Sequence, residues 1–212
     1  MRRGALNELC RTYWYPIYVY VRRRGRGPDD AQDLTQEFFA CLLRRGSLTK
    51  VSLHRGKFRT FLLASLNHFL ADAWDAATAA KRGGNQPIIS FDETGAEERY
   101  QMETASDPTP DVAFDRRWVL ALLEEALARL LAEYTAAGKA RTFELLKTFL
   151  ENPADEGDYG RVAAALGLNP GAVAVAVHRL RQRYRDLVRA GIAQTVSGPE
   201  EMEEELRHLF GR

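Results

Sequence analysis

The side chains with the most chemical content lie between Tyr159 and Arg185, where small residues, a Gly-Leu-Asn-Pro turn and a row of arginines follow one another. The stretch Tyr-Gly-Arg-Val-Ala-Ala-Ala-Leu-Gly-Leu-Asn-Pro-Gly-Ala-Val-Ala-Val-Ala-Val-His-Arg-Leu-Arg-Gln-Arg-Tyr-Arg predicts a helix, a tight turn and a second helix. Val162, Ala163 and Leu166 face inward on the first helix, Gly167 permits the left-handed backbone needed at its end, and Leu168 plugs the junction. Asn169 caps the next helix, whose first turn tolerates Pro170. Val173, Val177, Leu180, Tyr184 and Leu187 recur at steps of four, three, four and three and pack inward. At about 100° per residue, the opposite face carries Gly171, Val175, His178, Gln182 and Arg185, flanked by Ala172, Arg179 and Arg181. Such a face suits a DNA major groove: small residues allow close approach, and the arginines reach phosphates or guanine edges. The plainer alternative is an αα-hairpin with a solvated arginine face.

Catalytic chemistry finds no comparable support. There is no phosphate loop and no HExxH, and His54, His68, His178 and His208 are too scattered for a metal site or a triad. No enzyme activity, cofactor or metal is expected. Cys10 and Cys41 lack CxxC spacing, so neither a disulfide framework nor a zinc knuckle follows, and a reducing cytoplasm fits. The start of the chain lacks the apolar core of a signal peptide, and no apolar run approaches the roughly 18 residues of a bilayer span. Neither export nor a membrane is expected.

Charge is the second signal. The chain of 212 residues carries a formal net charge of only +1. Yet residues 1–85 hold 15 basic against 7 acidic side chains, residues 86–125 hold 3 against 10, residues 126–196 hold 10 against 7, and residues 197–212 hold 2 against 5. Two basic blocks divided by an acidic connector suggest two polyanion-facing modules. Either block alone reads equally as solvated surface charge.

The elements that position these residues are helical throughout, because apolar residues recur at helical spacing and strand-like alternation is scarce. Leu9, Tyr13, Ile17 and Tyr20 define a first helix over 6–24, with Pro16 kinking it or marking a junction. Asp29 or Asp30 caps a second helix running to about Arg45, with Leu34, Phe38 and Leu42 inward and Asp33, Gln36 and Glu37 outward. A third spans 57–80 on Phe58, Leu62, Leu66, Phe69 or Leu70, and Ala73. Residues 83–110, with glycines, prolines and acids, read as a linker with little to bury. Helical spacing resumes over 111–134, continues to Pro153, and returns in the acidic tail at Met202, Leu206 and Leu209.

With these residues in place, the chain resembles the bacterial RNA polymerase sigma factors of the sigma-70 family, extracytoplasmic-function (ECF) group, over about residues 5–196. Asp30-Ala-Gln-Asp-Leu-Thr-Gln-Glu-Phe-Phe-Ala-Cys-Leu-Leu43 is similar to the family's polymerase-clamp-binding segment. Phe58 to Asp72 resembles its melting segment, and Gly171 to Arg181 its minus-thirty-five recognition helix. The long linker and Ile192-Ala-Gln-Thr-Val196 resemble a subgroup with a C-terminal extension. The resemblance implies an all-α chain of two small domains, a promoter-melting bundle and a helix-turn-helix domain, joined by an acidic flexible linker. Residues 1–84 would be region 2, 85–112 the linker, 113–196 region 4, and 197–212 an acidic C-terminal tail. The N-terminus is short beside the family, so the expectation is either an incomplete first helix or a misassigned start codon.

The resemblance also implies a division of labour. Asp33, Gln36 and Glu37 would offer acceptors and negative charge to the clamp of the polymerase's largest subunit, with the flap of the second-largest subunit as a further partner. Melting without ATP requires capture of an unpaired base, which calls for aromatic faces, amides and cations. Asn67, His68, Asp72, Trp74 and Asp75 are placed for that, with Lys81 and Arg82 for phosphate, while Phe58, Leu62 and Phe69 belong to the core. Trp74 either stacks on a base or covers the bundle. Ala174, Val175 and Ala176 stand where many relatives carry Lys, Ser or Arg, which weakens hydrogen-bonded readout by the first turn. Ala172 and Val175 would then touch thymine methyls, His178, Arg179 and Gln182 would supply polar contacts, and Arg181, Arg183 and Arg185 would meet phosphates. The expected function is promoter-specific initiation, through double- and single-stranded promoter DNA and core polymerase, in the bacterial cytoplasm. An anti-sigma or other regulatory protein is an expected partner. The alternative is a stand-alone helix-turn-helix regulator that never binds polymerase; a helical scaffold would lack salt-sensitive DNA affinity altogether. The acidic connector and tail are expected to shield the basic faces until polymerase separates the domains.

Overall fold

A computed structural model describes residues 3–44, 58–79, 95–102, 109–151 and 156–211. Every regular element among them is an α-helix, so the chain is all-α. The helices are α1 (Arg3–Arg23), α2 (Pro28–Arg44), α3 (Phe58–Ala79), α4 (Ala96–Met102) and α5 (Pro110–Ala136), followed by α6 (Ala140–Leu146), α7 (Thr148–Glu151), α8 (Glu156–Leu166), α9 (Pro170–Ala193) and α10 (Pro199–Phe210). They form two compact units. The first comprises Met1–Ala121 together with Thr195–Arg212, and the second is Leu122–Gln194, inserted between them.

In the first unit α1 is the central element. It runs unbroken through Pro16, so no junction lies there. The apolar stripe expected on it is narrower than the one it buries. Tyr13, Trp14, Tyr15, Ile17, Tyr18, Val19, Tyr20 and Val21 are all buried, which marks a helix enclosed on every side. Phe38, Phe39 and Leu42 of α2, Phe58, Leu62 and Leu66 of α3, and Phe114 and Trp118 at the start of α5 join it in the core. Tyr13 meets the Phe58 ring edge-on at 5.4 Å and stacks with Trp118 at 6.0 Å. Aromatic pairs of this kind add to the area they bury.

The α1–α2 turn closes at Gly25, whose φ of 84° lies in the left-handed region that favours glycine. Gly27, and neither Asp29 nor Asp30, stands at the N-cap of α2, because its carbonyl accepts the first helical bond, from Ala31 at 2.9 Å. The two aspartates lie in the first turn, where negative charge complements the helix dipole.

Part of the linker expected to be flexible, and the acidic tail expected to shield the basic faces, belong to this unit. Within the linker, α4 buries Ala96 and brings Glu97 to α1. Glu97 accepts from Tyr18 Oη at 2.5 Å and from Arg22 Nε and Nη2 at 2.9 and 2.8 Å. The Arg22 bonds, and after them those from Tyr18 and Gln101, hold its carboxyl down to about 2. The acidic tail forms α10 and buries Glu205. Acidic composition suggested solvation, but Glu97 meets Arg22 and Glu205 meets Arg59. The rest of the 85–112 linker, apart from 95–102 and 109–112, lies outside the described residues.

The second unit packs Leu122, Ala126 and Leu130 of α5 with Phe143, Leu146 and Phe149, Ala163 of α8, and Val173, Val177, Leu180, Leu187, Val188 and Ile192 of α9. Gly138, at φ 70°, ends the turn after α5. Gly191 allows α9 to lie close to α5: a Cβ there would fall 2.4 Å from Leu122 Cδ1.

Candidate nucleic-acid interface

The turn between α8 and α9 is built by local bonds. Gly167 adopts φ 67°, and the Leu168 amide donates back to the Ala163 carbonyl at 2.9 Å, the closure that satisfies the open carbonyls of a helix end. Leu168 contributes this backbone bond and no plug: its side chain is 47% exposed. Asn169, with extended backbone, accepts the Ala172 amide on Oδ1 at 2.8 Å, and Pro170 follows as the first helical residue. Residues 157–166 and 170–193 meet at a bend of 97°, within the range of helix-turn-helix units. This pair is apolar enough by composition to resemble a broken span, but no single helix among the described residues is long and apolar enough to cross a membrane.

On α9 the inward set is as expected, with Tyr184 half-buried and its hydroxyl donating to the Leu123 carbonyl at 3.2 Å. The opposite face exposes Gly171, Val175, His178, Arg179, Gln182 and Arg185, with Ala172 half-buried beside them. Val175 is 51% exposed, an unpartnered apolar side chain near the helix N-terminus. Gln182 Nε2 donates to Asp186 Oδ1 at 3.1 Å, so a carboxylate stands on this face one turn beyond the polar residues. Its signal was the four-residue spacing from Gln182, which went unread.

Two arginines of the expected phosphate set are engaged inside the unit. Arg181 donates through Nε and Nη2 to the Phe149 carbonyl at 2.9 and 2.7 Å, closing the end of α7. Arg183 pairs with Glu133 at 2.9 and 2.5 Å; the arginine holds the Glu133 carboxyl below its usual range. Helical phase puts Arg181 at the edge of the outer face, about 80° from its middle, within reach of the Phe149 carbonyl. No local pattern signals Glu133, 50 positions earlier in the sequence.

In the first unit, α2 buries Ala31, Thr35, Phe38, Phe39 and Leu42. Thr35 satisfies its hydroxyl on the Ala31 carbonyl at 2.7 Å, which lets a polar residue occupy the inner stripe. Leu34 is only half-buried. Asp33 and Glu37 are exposed and Gln36 half-buried, at the three- and four-residue spacings that place them side by side. They form an acidic ridge with a rigid back.

The residues proposed for melting divide between two faces of α3. Asn67 and Trp74 line a cleft of about 250 Å³ with Leu70, Ala71, Arg24 and Arg26. Trp74 is 58% exposed, and the Arg26 guanidinium lies 4.7 Å from its ring. Asn67 Oδ1 accepts from Tyr20 Oη at 2.9 Å and from Arg24 Nη2 at 2.5 Å, so its oxygen is fixed to α1. His68 and Asp72 line a second cleft of about 480 Å³ between α2 and α3, with Phe38, Cys41, Leu42, Phe61 and Phe69. His68 Nδ1 lies 2.7 Å from the Ala64 carbonyl. Sequence reasoning missed Arg24 and Arg26, because Gly25-Arg26-Gly27 reads only as a helix end. Lys81 and Arg82 lie outside the described residues, as does the Asp75 side chain. No group of three His, Cys, Asp or Glu able to hold a metal occurs among the described residues.

Among curated proteins, the chain is similar to a protein named ECF RNA polymerase sigma factor SigE from Mycolicibacterium smegmatis, at 26% identity over 189 residues. The match covers 89% of this chain and 63% of that one, so the chain spans less than two thirds of the relative's length. No family model matches, and no solved structure matches.

Proposed function

We propose that this chain is a sigma factor of the extracytoplasmic-function group, which binds core RNA polymerase and directs it to promoters. The observation that carries this reading is a pairing on one chain. The chain carries a helix-turn-helix closed by its own caps and, in a separate helical unit, Asp33, Gln36 and Glu37 on an exposed ridge. A DNA-binding regulator needs the first; only a polymerase-dependent factor needs the second. The similarity to a protein of that name supports it.

In this reading the ridge of α2 docks on the basic clamp of the largest polymerase subunit. Residues 1–84 act as region 2 and residues 113–196 as region 4. Val175 and Ala172 meet thymine methyls, and His178, Arg179 and Gln182 read or position base edges. Arg185 supplies phosphate contact. The cleft lined by Asn67, Trp74, Arg24 and Arg26 suits an unpaired base, which stacks on the exposed indole while the guanidinium 4.7 Å from that ring attracts its phosphate. The role requires no bond-making chemistry and belongs in the bacterial cytoplasm.

Run-off transcription with core polymerase on genomic fragments tests it. Start sites sharing two upstream motifs are expected. A DNA-binding dimer with no affinity for core polymerase would instead establish a stand-alone regulator.

A further inference from the structure

We propose that the cleft of Asn67, Trp74, Arg24 and Arg26 is a base selector that offers only hydrogen-bond donors, so that it takes an unpaired guanine and rejects adenine. The inference rests on the sigma-factor reading and names the base that the cleft on α3 would hold.

The selectivity follows from the way one amide is held. Asn67 stands in the middle of α3, half-buried, and its Oδ1 accepts from Tyr20 Oη at 2.9 Å and from Arg24 Nη2 at 2.5 Å. Arg24 Nη2 also donates to Tyr20 Oη at 2.9 Å, and its guanidinium lies 5.3 Å from the Tyr20 ring, so the three side chains close a triangle. Chemistry decides which end of the amide faces α1: a guanidinium has donors alone, and only the oxygen can meet it. Turning the amide over would set Nδ2 against Arg24, donor against donor. Tyr20 is fully buried on the central helix, which fixes the anchor. The oxygen is therefore spent. Nδ2 has no partner among the described residues and is the polar atom left for the cleft.

The other polar groups around the cleft have the same sense. Arg24 and Arg26 carry guanidiniums, and the Trp74 indole has one N–H and no acceptor. The α3 carbonyls at 67, 70, 71 and 74 lie within a helix that continues to Ala79 and are spent on its own ladder. The Arg26 carbonyl accepts from Arg22 Nη1. Among the described residues no carboxylate lines this cleft; Asp72 lines the other one.

A base edge entering such a site must bring acceptors. Guanine presents O6 and N7 side by side, a pair that suits guanidinium and amide N–H groups. Adenine sets an N6 amine beside its N7. A free asparagine takes that amine on its oxygen while donating to N7, but the Asn67 oxygen is already occupied twice. Adenine would thus hold its amine against donors, and a polar group left unpaired costs more than a good pair contributes. Tyr20 is a positioning residue in this scheme, acting on the base through Asn67.

The test uses the full chain with core polymerase on forked promoter fragments, whose unpaired strand is varied position by position between guanine and adenine. The parent is a promoter on which the wild type gives run-off product. No base pair has to break in the fork, so affinity reports capture rather than ease of melting. One unpaired position is expected to favour guanine by about tenfold, the scale of one bidentate base contact. Asn67→Asp keeps an oxygen for Tyr20 and Arg24 and puts a second acceptor where Nδ2 stood, so the preference at that position should invert to adenine. Asn67→Leu removes the donor without adding charge and should bring the two purines level there. A guanine preference that persists in either variant, or a wild type that takes both purines equally at every unpaired position, overturns the selector and leaves the sigma-factor reading standing. A wild type with no run-off product and no affinity for core polymerase removes that reading, and the selector with it.

Discussion

Asn169, Arg179, Arg183 and Trp74 show how far side-chain chemistry can be followed from spacing. The Asn169 cap was legible because its partners are three residues away, and the structure places its Oδ1 on the Ala172 amide. Asn169→Ala removes that acceptor and is expected to lower the stability of the second unit by about 1 kcal/mol, measured by thermal denaturation. Arg179 is exposed and, among the described residues, makes no ion pair, so Arg179→Ala should weaken binding to a matched promoter more than to a scrambled one. Equal losses would remove its base-reading role. Arg183 differs because Glu133 already compensates its charge. Arg183→Ala should therefore leave the salt dependence of DNA binding nearly unchanged, where loss of a true phosphate contact would reduce the slope by about 0.9. Trp74→Ala should depress strand opening in permanganate footprints and leave the melting temperature in place, since most of the indole faces solvent. A large fall in melting temperature would assign Trp74 to the bundle. The partners of Arg181 and Arg183 were illegible because tertiary distance has no local periodicity.

At the scale of elements, the spans of α1, α2, α3 and α9 followed from apolar period and turn residues, and α2, α3 and α9 are stabilised by one inward stripe each. The period failed where burial is not one-sided. On α1, the aromatic and aliphatic run from Tyr13 to Val21 fills every face, so a single stripe understated the burial. For α4, acidic composition concealed a docking helix, because Glu97 is stabilised by Arg22 rather than by water. This contact carries a pH dependence of definite sign. Glu97 titrates near 2 in the folded chain and from an ordinary value of 4.5 without its partners. Between those values the undocked state binds the extra proton, so the contact is fully stabilising above pH 4.5 and is lost as pH falls towards 2. Amide exchange at 96–102 should accelerate over that interval in the wild type. Glu97→Gln should exchange rapidly throughout, and an equally steep acid response in that variant would place the effect elsewhere.

For the whole molecule, charge partition pointed to two modules, and the structure has two compact units, but with a different path between them. A linear chain of domain, linker, domain and tail was expected. The observed first unit closes with residues from both ends of the sequence, an arrangement no local window contains. The Phe58–Thr195 and Arg59–Glu205 bonds span more than 130 positions. The measurement that bears most directly on the proposed role is permanganate probing of a promoter with core polymerase and either the wild-type chain or the double charge reversal Asp33→Lys/Glu37→Lys. The account predicts reactive thymines upstream of the start with the wild type and their loss with the reversed ridge; opening that survives the reversal, or a wild type that opens nothing, would contradict it.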